Sequence, residues 1–245
     1  MLETLNDVVN VLAPDDLPAA LQAMTATANP YALIRRIIVA ALTGTLPDEY
    51  REDSVNILTQ ALNAPDEDIR ALAVIGLNEL GAAAPMVLPA LTGAVHDCSD
   101  QVRRRAVRTL GEMGMAALPS MPHLISALRD SSSLVRMEAM SALGRFGSDA
   151  EPAVPELIEM LGHDDIRMRM VAGATLKKIG RSSVPYLLEA LIDPDAICRE
   201  RAAALLGRLR IKNDPVLESL LEASSCDMDE DVRRAARGAL DLIEA

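Results

Sequence analysis

The chain has 245 residues, half of them apolar, but it contains no Trp, three Tyr and one Phe. Its apolar side chains are mainly Ala, Leu, Ile, Val and Met, which suit close helix packing better than the aromatic and β-branched residues typical of sheets. The net charge of −12 and the pI near 4.7 argue against binding to nucleic acid or to an anionic membrane surface.

Signals for export or membrane insertion are not evident in the sequence. The first residues lack the basic segment and apolar core of a secretory signal, and no apolar run approaches the ~18 residues of a membrane span. The three cysteines, Cys98, Cys198 and Cys226, are too few and too scattered for a disulfide framework or a metal site. We therefore expect a soluble cytoplasmic protein in a reducing compartment.

A nine-residue pattern recurs seven times along the chain. Position 1 is apolar, position 2 is Arg, position 5 is small except at Ile38, and position 9 is Leu. The segments follow one another at steps of 30 to 35 residues. They begin at Ile34, Ile69, Val102, Val135, Met168, Cys198 and Val232. A repeat of this length predicts a stack of small supersecondary units.

Each repeat is predicted to be a helical hairpin. Apolar or small residues at positions 1, 5, 8, 9 and 12 form one helical face, and most segments end near a Gly. A second apolar stretch precedes each segment across a short acidic turn, and Pro89 and Pro122 are expected to kink or delay two of these first helices. The predicted fold is an all-α solenoid, or superhelix, in a single domain over 1–245. A capping helix is expected in 1–14, followed by repeats at about 15–46, 47–81, 82–114, 115–147, 148–180, 181–211 and 212–245.

The acidic turn, followed by Val/Ile-Arg-x-x-Ala-x-x-x-Leu-Gly and preceded by Ala-Val-Pro-x-Leu-x-x-x-Leu, resembles HEAT repeats. It is most similar to the short HEAT-like type also found in phycobilin lyases, and the resemblance covers about residues 15–245. It implies a non-enzymatic scaffold or adaptor that binds another protein along the concave face lined by the second helices. The alternative is a phycobilin lyase-like tetrapyrrole-handling protein, which rests on the repeat type alone.

The resemblance also implies that the Arg at position 2 pairs with a turn Asp, building a ladder along the stack. Each such Asp lies five residues before position 1 and is placed to meet the Arg in the same or the next repeat. The ladder arginines are Arg35, Arg70, Arg103, Arg136, Arg169, Arg199 and Arg233. The ladder aspartates are Asp97, Asp130, Asp193 and Asp227.

Most remaining cations lie on the second helices, whereas the first helices and turns hold most carboxylates. Nine cations at positions 3, 4, 7 or 11 oppose the predicted core face, and they are either a solvated helix face or a groove for an acidic segment of a partner. These nine are Arg36, Arg104, Arg105, Arg108, Arg145, Lys178, Arg201, Arg208 and Arg234.

Catalytic and metal-binding patterns are not found. The three histidines lack ligand spacing, and no nucleophile elbow, P-loop or dinucleotide fingerprint is present, so we expect neither enzyme activity nor a cofactor nor a metal. The last repeat ends at Ala245 without an obvious polar cap. Its end face is expected to be apolar and covered by a partner or by a second copy of the chain, unless the chain is part of a longer protein.

Overall fold

The computed structural model describes residues 30–44, 46–81 and 87–245. These residues form α-helices and 3₁₀-helices joined by short turns, and they contain no β-strand. The chain divides into two compact units, Met1–Ser120 and Met121–Ala245. The predicted capping helix in 1–14 and the first helix of the first repeat lie outside the described residues. The single continuous domain stays a prediction.

The described part of the first unit has five α-helices, which alternate between second and first helices of the predicted repeats. They are α1 (Pro30–Leu42), α2 (Arg51–Ala61), α3 (Glu67–Leu80), α4 (Val87–Ala94) and α5 (Asp100–Met113). The second helices α1, α3 and α5 contact one another in that order, and α2 and α4 pack on α3 and α5 as hairpins. The unit is therefore layered, with each repeat resting on the next.

The second unit repeats this arrangement in four hairpins. Its helices are α6 (Met121–Ser126), α7 (Ser133–Leu143), α8 (Val154–Glu159), α9 (Ile166–Ile179), α10 (Val184–Ala190), α11 (Ala196–Leu209), α12 (Asp214–Cys226) and α13 (Glu230–Glu244). The second helices α7, α9, α11 and α13 contact one another in order.

The core follows the repeat pattern. Position 1 is buried in six segments, and only Ile69 is half-buried there. The small residue at position 5 lets neighbouring helices approach closely; Ala106, Ala139 and Ala172, for example, are fully buried. The closest approach is at Gly207, where an added Cβ would lie 2.5 Å from the Cα of Ala239. Only Gly fits between α11 and α13 at that point.

The first helices are shorter than the pattern predicts. Pro122 was expected to kink or delay its helix, and the α-helical part, α6, begins only at Met121, after the 3₁₀ segment Gly114–Ser120. A similar 3₁₀ segment, Gly147–Ala153, precedes α8. Both segments contain a Pro, whose missing N–H and ring prevent a regular α-helical hydrogen-bond pattern.

Candidate partner-binding surface

The Arg at position 2 binds the turn that precedes its own helix. In six repeats its Nη1 donates to two main-chain carbonyl oxygens, five and six residues earlier, at 2.6–3.2 Å. The six are Arg70, Arg103, Arg136, Arg169, Arg199 and Arg233. A planar guanidinium suits this role because it offers several donors in a fixed geometry. The seventh, Arg35, has its guanidinium carbon 5.7 Å from the ring centroid of Tyr31.

Arg70 and Arg199 also join one repeat to the next. Arg70 donates from Nε and Nη2 to the carboxylate of Asp97 at 2.7 and 2.9 Å, and Arg199 does the same to Asp227 at 2.8 and 3.0 Å. The sequence left open whether the Asp would lie in the same or the next repeat. In both pairs it lies in the next one, because Nη1 already binds the arginine's own turn.

Both ion pairs are nearly buried, with side-chain exposures between 9% and 15%. The hydrogen bond from Arg199 lowers the pKa of Asp227 below its usual range, although burial opposes this. Burial raises the pKa of Asp97, but hydrogen bonds from Arg70 and from the Ser99 amide together lower it further, so its net shift is also downward. Each carboxylate is therefore ionised at neutral pH and bound on both sides.

The turn Asp also accepts the main-chain N–H two residues later. The distances are 2.8–2.9 Å for Asp97, Asp130, Asp193 and Asp227. In one repeat His163 occupies this place, and its Nδ1 accepts the amide of Asp165 at 2.9 Å. A ring nitrogen of His163 therefore replaces the carboxylate oxygen as the acceptor. His163 lies five residues before position 1, where the turns of four other repeats have Asp. The sequence pattern did not predict its role because only Asp was considered as the acceptor at this position.

The nine cations opposite the core are all half-buried or exposed, but only three of them lie together on one helix. In the second unit, Arg234 pairs with Glu230 and Asp231, and Arg201 lies 4.0 Å from Glu200. Lys178 passes over Gly144, next to Arg145. Three of the nine, Arg104, Arg105 and Arg108, lie together on α5 in the first unit, whereas Arg36 is on α1.

These three arginines line an open cleft of about 90 Å³ between α3 and α5. We call it the arginine cleft; it is lined by Ile75, Asn78, Arg104, Arg105, Arg108, Thr109 and Glu112. Asn78 donates to Glu112 at 3.2 Å and so joins the two helices at one end. The repeat pattern did not single out Ile75, Asn78, Thr109 and Glu112, although Ile75 and Glu112 occupy positions 7 and 11, where several of the nine cations lie.

The charge of Arg105 is only partly compensated by its surroundings. Burial lowers the pKa of Arg105, repulsion from Arg104 and Arg108 lowers it further, and Asp68 opposes this. The Nε of Arg105 is buried without a hydrogen-bond partner among the described residues. Such a site favours an anion that supplies acceptors and negative charge together.

Metal and membrane sites are not found in the part of the chain that the structure describes. No group of three or more His, Cys, Asp or Glu side chains is arranged to hold a metal ion there. None of the helices within 30–44, 46–81 and 87–245 has the length and hydropathy needed to cross a bilayer.

The last repeat does not end in the expected apolar face. Among the described residues, the exposed side chains of α12 and α13 include Glu218, Glu222, Arg234, Arg237 and Asp241. Leu221 and Leu242 are the exposed large apolar residues there. The exposed residues of α12 and α13, most of which are charged, therefore do not support the expected apolar end face.

Stacked hairpins with a shared pattern of buried apolar and turn-binding Arg residues define an α-solenoid repeat protein. The family profile for HEAT repeats matches residues 17–111, 88–177, 121–207 and 154–241. The chain belongs to the HEAT-repeat family. A search of curated proteins found no match.

Solved structures of low identity share the fold. A chain of a Kap121p mutant aligns over 95% of this chain with a TM-score of 0.71 and 13% identity, and the present chain spans 29% of its length. An engineered protein aligns over 94% of this chain and 68% of its own, with a TM-score of 0.54 and 19% identity. A designed armadillo repeat protein covers 76% of this chain and 98% of its own, at 17% identity and a TM-score of 0.46.

Proposed function

We propose that this HEAT-repeat chain is a non-enzymatic scaffold or adaptor that binds an acidic segment of a partner protein through cations on its second helices. Proteins with this repeat fold typically act as protein-interaction modules. The observation that supports this role is the arginine cleft, where three cations share one small space on α5. A cytoplasmic location, expected from composition, stays a prediction.

Fold stability does not account for this cluster. Arg104 and Arg108 are four residues apart on one helix, and like charges at that spacing destabilise a helix. Neither Arg104 nor Arg105 forms an ion pair with a residue that the structure describes. An acidic partner would remove the repulsion, and electrostatic attraction would raise its association rate and select it among competitors.

The tetrapyrrole alternative gains no support from this site. Small-molecule and cofactor sites usually enclose roughly 300–1,000 Å³ and are mostly apolar. The arginine cleft is about 90 Å³, open, and lined mainly by polar side chains. Its size suits one side chain of a partner segment. Self-association through the last repeat is also less favoured, because that repeat exposes mostly charged residues.

The test is a charge reversal in the arginine cleft. Arg104→Glu, Arg105→Glu and Arg108→Glu are combined, and binding of a fluorescein-labelled 12-residue Glu/Asp-rich peptide is followed by fluorescence anisotropy at low salt. We expect the wild type to bind and the triple variant to bind at least about tenfold more weakly with a similar melting temperature, since rim charges act mainly on association. Unchanged binding would show that the cleft is not the binding site.

A matched control reverses three exposed cations elsewhere. Arg181, Lys212 and Arg237 lie in the second unit, outside the nine selected cations, and all are exposed. Changing all three to Glu alters the net charge by the same amount. Peptide binding is expected to be retained in this control. An equal loss in both variants would indicate a nonspecific effect of net charge.

A further inference from the structure

We infer that the arginine cleft recognises a phosphorylated side chain within the acidic partner segment. The inference rests on the proposed function, because it names the group that the same surface would bind. It follows from the charge, the hydrogen-bonding capacity and the walls of the cleft.

The positive charge in the cleft exceeds what one carboxylate neutralises. Arg104, Arg105 and Arg108 lie within five residues on α5, and Glu112 is the carboxylate that lines the cleft with them. Glu112 already accepts a hydrogen bond from Asn78. A phosphate monoester has a charge of about −1.5 to −2 at pH 7, roughly twice that of a carboxylate.

The donors also suit a group with several oxygens. Each guanidinium offers five N–H donors, and Arg104 and Arg105 form no ion pair with a residue that the structure describes. A phosphate monoester has three terminal oxygens and forms bidentate pairs with Arg, whereas a carboxylate has two oxygens. Phosphate therefore has enough oxygens to engage the guanidinium groups of Arg104 and Arg105 at once.

The walls of the cleft limit where the anion lies. Glu112 is at one end, held by Asn78, and its charge repels an anion there. Ile75 of α3 closes one side with an apolar surface. These features direct the phosphate toward Arg104 and Arg105 and leave the carbon atoms of the phosphorylated side chain against Ile75.

Three peptides test the inference on the wild-type chain. They share one acidic 12-residue sequence and differ at the central residue, which is Ser, Glu or phosphoserine. We expect the phosphoserine peptide to bind at least about tenfold more tightly than the Glu peptide, because charge-assisted bidentate pairs are the stronger ones. Equal affinity for these two peptides would overturn the inference and leave the proposed function standing. Failure of all three to bind would contradict both.

The pH dependence of binding separates phosphate from carboxylate recognition. The second ionisation of a phosphate monoester has a pKa of about 6, whereas a Glu side chain stays ionised down to about pH 5. The advantage of the phosphoserine peptide should therefore shrink between pH 7.5 and 5.5. A preference that does not change over this range would contradict recognition of the dianion.

Variants of the cleft arginines test whether the phosphate binds in the arginine cleft. Arg104→Gln combined with Arg105→Gln should reduce the affinity for the phosphoserine peptide to that for the Glu peptide. The control Arg181→Gln with Arg237→Gln changes the net charge equally and should keep the preference. If the cleft variant still preferred the phosphoserine peptide to the Glu peptide, the arginine cleft would not be the phosphate-binding site. A 12-nucleotide single-stranded DNA that bound as tightly as the phosphoserine peptide would overturn the assignment to a protein partner.

Discussion

The two units place their surface cations differently although they share one repeat pattern. In the first unit, Arg104, Arg105 and Arg108 occupy positions 3, 4 and 7 of α5, and position 11 is acidic in α3 and α5. In the second unit, position 11 is basic in three successive repeats, at Arg145, Lys178 and Arg208. Position 11 thus holds opposite charges in the two units.

This difference separates cations that the fold explains from cations that it does not. Position 11 lies at or near the end of the second helix, where the helix dipole stabilises a positive charge. Arg201 and Arg234, earlier in their helices, lie beside acidic residues. Arg104 and Arg105 lie in the first half of α5 and Arg108 lies just past its middle, so none of the three is in the last turn, where the dipole stabilises a cation. A partner is therefore the better explanation for the first unit than for the second.

The largest effect is expected from breaking an ion pair between repeats, of which Arg70–Asp97 is an example in the first unit and Arg199–Asp227 in the second. Asp227→Ala leaves Arg199 buried without its carboxylate and should lower the free energy of unfolding by about 3 kcal/mol. Asp193→Ala is the matched control, because Asp193 accepts the same kind of turn amide but its carboxylate binds no described arginine. We expect the control to cost about 1 kcal/mol. Urea unfolding measures both, and equal losses would show that the ion pair adds nothing.

Acid should remove the same contribution from the wild type. The folded pKa of Asp227 is below the unfolded value of about 3.9, so the ion pair stabilises the fold fully above pH 4–5 and is lost as the pH falls through the folded pKa. The unfolding free energies of the wild type and of Asp227→Ala should therefore converge below about pH 3. A difference that stays constant between pH 7 and 3 would contradict a depressed pKa.

A smaller effect is expected from Arg136, a turn-binding arginine that pairs with no carboxylate among the described residues. Arg136 donates from Nη1 to the carbonyls of Asp130 and Ser131 at 2.7 and 3.2 Å. Arg136→Ala should cost roughly 1–2 kcal/mol, because two carbonyl groups, one of them partly buried, lose their donor. Arg136→Lys keeps the positive charge but lacks the planar set of N–H donors, so it should recover only part of this stability. Thermal unfolding that is unchanged in Arg136→Ala would indicate that water replaces the arginine fully.

Replacing His163 with Asp should restore the common turn. Arg136 and His163 are separated in sequence by the same 27 residues as the paired Arg70 and Asp97. An aspartate at 163 would accept the Asp165 amide and offer Arg136 a carboxylate, so we expect a gain of roughly 0.5–1 kcal/mol. His163→Asn supplies only the amide acceptor and is the control. A gain of equal size in both variants would exclude an ion pair with Arg136.

The sequence predicted the hairpins, the buried positions and the arginine column because each recurs at every repeat. Position 5 was expected to be small, and Ala106 and Ala172 are fully buried against neighbouring helices. The ends of the first helices were not predictable from periodicity. At Pro119 and Pro152 the chain stays 3₁₀-helical, since the balance between two similar helical forms depends on local packing.

Only the arginines of the arginine cleft could be predicted from the sequence, and the cleft itself could not. The motif singled out Arg104, Arg105 and Arg108 as a charged run, but their common cleft depends on α3 supplying Ile75 and Asn78. That register between two helices is fixed by tertiary packing. The sequence also could not distinguish Arg234, which pairs with two acidic residues, from Arg105, whose Nε is unpaired, because acidic residues are common on all these helices.

The smallest expected effect compares the thiols of the two units. Cys98 in the first unit is exposed, whereas Cys198 in the second occupies position 1 and is buried, and burial raises its pKa to about 12, with Asp193 and Asp195 adding to this. Ellman's reagent at pH 8 should therefore modify Cys98 and the exposed Cys226 quickly and Cys198 only slowly, since the thiolate is the reactive form. If Cys198 reacts through opening of α11 from α13, Asp227→Ala should accelerate that slow phase and leave the fast phases unchanged. A slow phase insensitive to this substitution would show that the ion pair does not hold these two repeats together.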